Sequence, residues 1–216
     1  MSAADGSNGA PAGVLVLGIG NVLWADDGFG VRAVEALHAG YVVPESVDVV
    51  DGGTQGLNLL DSVVTHAAVL VFDALDFGLP PGTLRVLRDR EVPAWGATKV
   101  SLHQQSFQEL LAIADLNGRF PPKLTLIGVQ PERLADFGGS LSASVREQVP
   151  AAVALAVEEL AAWGIAALPR DGSAPERLNA EALSLAAYEA GRPPETAACR
   201  IGDARFLNIR HQVESR

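Results

Sequence analysis

Cysteine is almost absent from this chain: Cys199 is the only one in 216 residues. That excludes an internal disulfide framework and any cysteine-rich zinc site, and it fits a reducing compartment. No run approaches the ~20 apolar residues a membrane span requires. Positive charge is also scarce, with 16 Lys and Arg against 26 Asp and Glu, a net charge of −10. That argues against nucleic acid as a partner, which demands basic patches. The deficit is uneven: from Ala167 onward there are 7 basic and 7 acidic residues, so the excess of acid lies in the preceding part. Two protease signatures are missing as well, the G-x-S-x-G elbow and the H-E-x-x-H helix. The first dozen residues, MSAADGSNGAPA, lack the basic start and apolar core of a secretory signal and read as a flexible lead. A cytoplasmic address is expected.

What is present is apolar and ordered. Hydrophobic residues make up 48% of the chain, enough for the core of one ordinary domain. Strand and helix patterns alternate. Val14–Ile19, Val47–Val50, Ala67–Phe72, Thr83–Leu87 and Leu124–Val129 read as strands. Gly30–Ala39, Gln55–Val64, Gln104–Ala114 and Ser142–Trp163 read as helices, with Arg88–Leu102 a long irregular loop holding Pro93 and Trp95. This alternation predicts a three-layer α/β sandwich with a mostly parallel central sheet. From Leu168 the composition turns to Pro, Arg, Glu and Ala. The expected organisation is a lead over 1–12, an α/β domain over 13–168 and a polar extension over 169–216. The extension is expected to be partly helical (Ala180–Ala190) or disordered, its Arg200–Gln212 stretch either an arm docked on body or partner or a disordered tail.

The most informative segment is VLVLGIGNVLWADDGFG, Val14–Gly30: a strand, a Gly-X-Gly-Asn turn, then Asp26 and Asp27 at the threshold of a helix. Ligand sites of α/β proteins gather at that edge. Asp73 stands at the end of a second apolar strand and His103 ahead of a helix. Two carboxylates and an imidazole form a mixed oxygen and nitrogen set suited to a borderline divalent ion, and three protein ligands leave positions open. Each residue has a plainer reading as a cap or a solvated side chain, and spacing alone does not choose. A dinucleotide site is disfavoured, because the third glycine of G-x-G-x-x-G is missing and two acids would repel a pyrophosphate. An aspartic dyad, Asp26/Asp27 or Asp27/Asp73, stays open, although neighbouring loop residues usually diverge, which leaves Asp26 chiefly a helix-start residue. Asp51-Gly52-Gly53-Thr54 reads either as a strand-to-helix turn or as a loop offering backbone N–H groups to a peptide. Trp24 and Trp95 are candidate contacts for a docked chain; Cys199 lies outside every motif, which disfavours a cysteine protease.

In order, GIGNVLWADDGFGVRAVEAL, DGGTQGLNLL, VFDALDFGLPPGTL, SLHQQSFQELL and PPKLTLIGVQPE resemble the [NiFe]-hydrogenase maturation endopeptidases, over about seven-tenths of the chain. The resemblance implies a twisted sheet between helices. It implies hydrolytic removal of a C-terminal extension from the hydrogenase large subunit precursor after nickel insertion, an activity grouped with aspartic-type endopeptidases. Residue by residue, the family's metal-contacting positions fall on Asp27, Asp73 and His103. The first is often Glu in the family, and Asp27 keeps the oxygen donor on a shorter stem. The Asp51–Thr54 loop matches the family's other signature and is implied to bind substrate. The nickel is implied to arrive with the substrate, other divalent ions being able to occupy the same ligands, and no separate catalytic residue is assigned. The expected partners are the precursor and, through the extension, other maturation factors, with the free protein a monomer. A non-cleaving assembly chaperone of the immature large subunit is the competing reading.

Overall fold

The structure is a computed structural model that describes residues 11–96, 102–134, 136–172, 175 and 177–192; the side chains of residues 94–96 and 102–106 are outside the description. Its centre is a five-stranded sheet: β1 (Val14–Ile19), β3 (Val47–Gly53), β4 (Ala68–Ala74), β6 (Lys123–Val129) and β5 (Leu84–Arg88), ordered β3-β1-β4-β6-β5. β3, β1, β4 and β6 are parallel, and β5 closes one edge antiparallel to β6. Every residue of β1 and β4 is buried, which is why both read as unbroken apolar runs.

The period of two along each strand sorts side chains onto two cores. Val14 and Val16 of β1 join Leu70 and Phe72 of β4 on one face. That face is covered by α1 (Phe29–Gly40) and α6 (Val149–Ala162). Leu15 and Leu17 join Val69 and Val71 on the other, under α2 (Leu60–Thr65), α3 (Glu91–Gly96) and α4 (Leu102–Leu116). The predicted α/β architecture, helices on both faces of a mostly parallel sheet, is the one observed.

Several local readings change. The expected irregular loop after Leu87 holds α3, whose Pro93 lies in the first turn, where a missing N–H breaks no helical bond. The expected long helix over 142–163 is two helices, α5 (Ala143–Arg146) and α6, divided at Glu147 and Gln148. Pro150 stands at the start of α6 for the same reason as Pro93. A two-stranded ribbon was not anticipated: β2 (Tyr41–Val42) pairs antiparallel with β7 (Leu168–Pro169), so the expected division after Leu168 falls within β7. Beyond it, the helix expected over 180–190 is a 3-10 turn, Glu181–Leu183, followed by α7 (Leu185–Gly191), which Ser184 caps by accepting from Ala187 N–H. Residues 1–10 of the lead, Cys199 and the Arg200–Gln212 stretch lie outside the described residues.

One ion pair fastens β5 and β6 to α6. Glu159 accepts from the Arg88 guanidinium and from the Thr125 hydroxyl. Arg88 beside it holds the Glu159 carboxyl below the usual glutamate range. The pair therefore adds to stability above that range, and the gain is lost as pH falls through the lowered pKa.

Candidate functional site

The site lies at the carboxyl edge of the sheet, where the chain leaves β1 for α1 on one face and β4 for the elements leading to α4 on the other. Divergent exits of two adjacent parallel strands open a crevice between them. α1 enters this edge unusually close. A Cβ on Gly30 would stand 2.1 Å from the Ile19 carbonyl oxygen and 2.3 Å from that of Phe72. Glycine at the helix start is what lets the backbone that follows Asp27 rest directly on the ends of β1 and β4.

Asp27 sits in a 3-10 turn, Ala25–Gly28, that links the glycine turn to α1. Its Oδ2 accepts from Asn21 N–H at 3.1 Å, and the residue is only 5% exposed. Gly20 is at φ 135°, and a Cβ there would lie 1.8 Å from the Asp27 carbonyl oxygen. The turn and the acid are thus fitted to each other. Asp73 is the penultimate residue of β4, 2% exposed, with Oδ1 accepting from Ala74 N–H at 2.8 Å. By strand alternation it shares its face with Val69 and Val71, the face α4 covers. His103 belongs to the first turn of α4 rather than to a preceding loop, and its side chain is outside the described residues. Among the described residues no three His, Cys, Asp or Glu side chains group as a metal cluster. The fold therefore brings Asp27 and Asp73 to one edge, with His103 represented by its place in α4.

Asp26 does something other than start a helix. It is fully buried and reaches across to the segment after β6. Its Oδ2 accepts from the N–H groups of Glu132 (2.9 Å) and Arg133 (2.7 Å) and from the Ser142 hydroxyl, and its Oδ1 accepts from Ser142 N–H at 2.6 Å. Returning the bond, Asp26 N–H donates to the Arg133 carbonyl. This carboxylate is spent on structure, which removes the Asp26/Asp27 dyad. Ala25 beside it is held at φ 45°, a left-handed conformation that an alanine adopts only under constraint. The clamped segments present an apolar surface beside Asp27: Trp24 and Phe137 meet edge to face at 5.2 Å and are 39% and 46% exposed, with Leu23 at 42%. Sequence reasoning singled out Trp24 and missed Phe137, although the Phe-Gly-Gly run after a strand marks a loop.

The Asp51–Thr54 loop ends β3 next door. Gly20 N–H donates to the Gly53 carbonyl at 3.0 Å, joining the two glycine turns. Asp51 Oδ1 accepts from Gly53 N–H at 2.8 Å and its Oδ2 from Asn179 Nδ2 at 2.7 Å. Burial pushes the Asp51 carboxyl up, against the opposing pull of Asn179 and Gly53. Gly52 has no room for a side chain, since a Cβ would stand 2.7 Å from Leu17. Asn179, Glu35 and Arg32, which surround Asp51, were not anticipated, and nothing local in the sequence marks them.

The profile of the hydrogenase maturation protease family, HycI, matches residues 31–159, a stretch that holds Asp51–Thr54, Asp73 and His103 and begins just after Asp27. The hydrogenase expression/formation protein HoxM of Azotobacter vinelandii is 54% identical over 90% of this chain and 94% of its own. The hydrogenase 2 maturation protease of Escherichia coli is 40% identical over 73% of this chain and 96% of its own. Among solved structures, the hydrogenase maturating endopeptidase HybD of E. coli superposes with a TM-score of 0.70 at 39% identity, covering 73% of this chain and 98% of that one. By sequence and by fold, this chain belongs to the hydrogenase maturation protease family.

Proposed function

We propose that this protein is a cytoplasmic endopeptidase that removes the C-terminal extension of the nickel-loaded [NiFe]-hydrogenase large subunit precursor. The observation that supports the reading is the placement of Asp27 and Asp73 at one edge of the sheet. Asp27, in the turn that follows β1, and Asp73, near the end of β4, are nearly buried at the same edge of the sheet, and the glycine loop borders that edge through the bond from Gly20 to Gly53. Nickel arrives with the precursor as part of the substrate, and Asp27, Asp73 and His103 are its contacts on this side. The set joins two hard oxygen donors to an imidazole, a combination that suits Ni²⁺. Anchoring the metal fixes the peptide that follows it, and the glycine loop lies where its backbone can take up that strand. Hydrolysis adds one water across the scissile C–N bond, leaving a carboxylate on the mature subunit and an amine on the released peptide. Leu23, Trp24 and Phe137 give a protein substrate an apolar rim to rest on.

A second reading has one observation in its favour. The HoxM relative, at 54% identity, is described as an expression/formation protein, not a protease. Under that reading the same crevice holds the precursor without cutting it. Mass spectrometry of nickel-loaded precursor incubated with the protein separates the two. The endopeptidase reading expects loss of a C-terminal peptide only when nickel is present, and at least a hundred-fold slower loss with Asp27→Ala, Asp73→Ala or His103→Ala, on the order of a lost charge contact. A stable complex of unchanged mass establishes the chaperone instead. Full-rate trimming by all three variants, each shown to be folded, removes the ligand assignment.

A further inference from the structure

We infer that Asn179, a residue of the C-terminal extension, positions the glycine loop, so that the extension is a working part of the substrate site. The inference rests on the reading of Asp51–Thr54 as substrate-binding. It begins with a line of hydrogen bonds running from the extension into that loop. The Leu183 carbonyl accepts from Arg32 Nη1 at 2.6 Å, and the same Nη1 donates to Glu35 Oε2 at 2.8 Å. Glu35 Oε1 accepts from Asn179 Nδ2 at 2.9 Å, and that nitrogen also donates to Asp51 Oδ2 at 2.7 Å. Asp51 Oδ1 then takes the Gly53 N–H and closes the loop.

The chemistry at the middle of this line is specific. By strand alternation Asp51 stands on the α1 face with Val47 and Val49, which sets its carboxylate toward Glu35. Two like charges repel, and Arg32 is committed to Glu35 and to Leu183. A primary amide carries two N–H groups on one nitrogen, so it satisfies both carboxylates without adding charge. A hydroxyl has one hydrogen, and a third carboxylate would add to the repulsion.

The remainder of the extension is strapped on at separate points rather than packed throughout. Tyr188 Oη donates to the Gly139 carbonyl at 3.2 Å, and Glu189 accepts from the Ser140 hydroxyl and from Arg146. Between these points and the Asn179 contact the segment arches over a cavity of about 610 Å³, lined by Ala36, Leu141, Val149 and Leu178 among others. It thus touches both Asp51 of the glycine loop and Gly139–Ser140, which follow Phe137 of the apolar surface. The 90% of the chain matched in the A. vinelandii relative leaves too few residues over to exclude the extension, whereas about a quarter of this chain has no counterpart in the E. coli endopeptidase.

Full-length Asn179→Asp, Asn179→Ala and Asn179→Gln proteins test this by amide hydrogen exchange and by cleavage kinetics on nickel-loaded precursor. Asn179→Asp is expected to speed exchange at Gly53 about ten-fold, the loss of one charge-assisted bond. It should raise KM about ten-fold while kcat stays within about two-fold, and the longer amide of Asn179→Gln should recover part of both. Unchanged Gly53 exchange in the Asp and Ala variants overturns the inference, as does faster exchange with an unchanged KM. If the wild-type protein leaves the precursor uncut, the functional reading fails, and exchange at Gly53 still decides whether Asn179 holds the loop.

Discussion

The two loops that meet through Gly20 and Gly53 are held in opposite ways. The loop after β1 carries its own anchor: Asp26 is fully buried within it and gathers donors from residues 132, 133 and 142 of the same α/β body. The loop ending β3 is paired with β1 and tied to Gly20 through its backbone, but its half-buried acid, which keeps a raised pKa, is held from outside by one amide, Asn179. A carboxylate ringed by backbone N–H groups is hard to displace, because each donor would be left unpaired in the interior. One bond from a strap is easier to release. The segment bearing Asp27 is therefore the more firmly fixed wall, and the Asp51 side chain is the adjustable part of the other.

Asp26→Ala should have the largest effect, a loss of about 4 kcal/mol in chemical denaturation, because several buried donors lose their acceptor at once. A loss under about 1 kcal/mol would show the first loop to be no more fixed than the second. Alanine in place of the paired glycines comes next. Gly20→Ala drives a Cβ into the Asp27 carbonyl and should cost about 3 kcal/mol, whereas Gly53→Ala, at φ 46° with only Asp51 Oδ1 nearby at 3.6 Å, should cost about 1 kcal/mol. Equal losses would erase the distinction between the walls. The smallest effect belongs to Asp51→Asn, under about 1 kcal/mol at neutral pH, since one oxygen still accepts and removal of a charge that burial disfavours offsets the amide nitrogen that then faces Gly53 N–H or Asn179 Nδ2. The sign with pH follows. A carboxyl whose pKa is raised on folding favours the folded state below its ordinary range, and that contribution declines as pH rises through the raised value. Asp51→Asn should remove that component from a series of denaturation curves taken across the acidic range.

Much of this was legible in the residues themselves. β1, β4 and β6 are recognisable because strands covered on both faces need no polar alternation. Asp27 and Asp73 were legible as residues delivered by such strands to their carboxyl edge. The break between α5 and α6 was hidden by an unbroken Ala and Val composition, and α3 by the brevity of one turn and a half around Pro93. What could not be read locally was long-range. Asp26 finds its acceptors' donors more than a hundred residues away, and Asn179 stands 128 residues from Asp51. Periodicity reports which face a residue occupies, and it carries no record of which distant segment will cross that face.

Between β1 and β3 the pairing slips: Gly18 faces Asp51, but Ile19 faces Gly53, leaving Gly52 as an extra residue in one strand. Such an insertion acts as a parity switch, because alternation on its far side is reversed relative to the neighbouring strand. Asp51 is the last side chain counted on the α1 side before the switch, and Gly52 is the idle step. Removing that step would leave composition and fold class nearly untouched while moving everything after it by half a pleat. Insertion or deletion at this corner would thus reverse the face taken by each residue that follows, whereas a change in what reaches Asp51 from outside leaves the register intact.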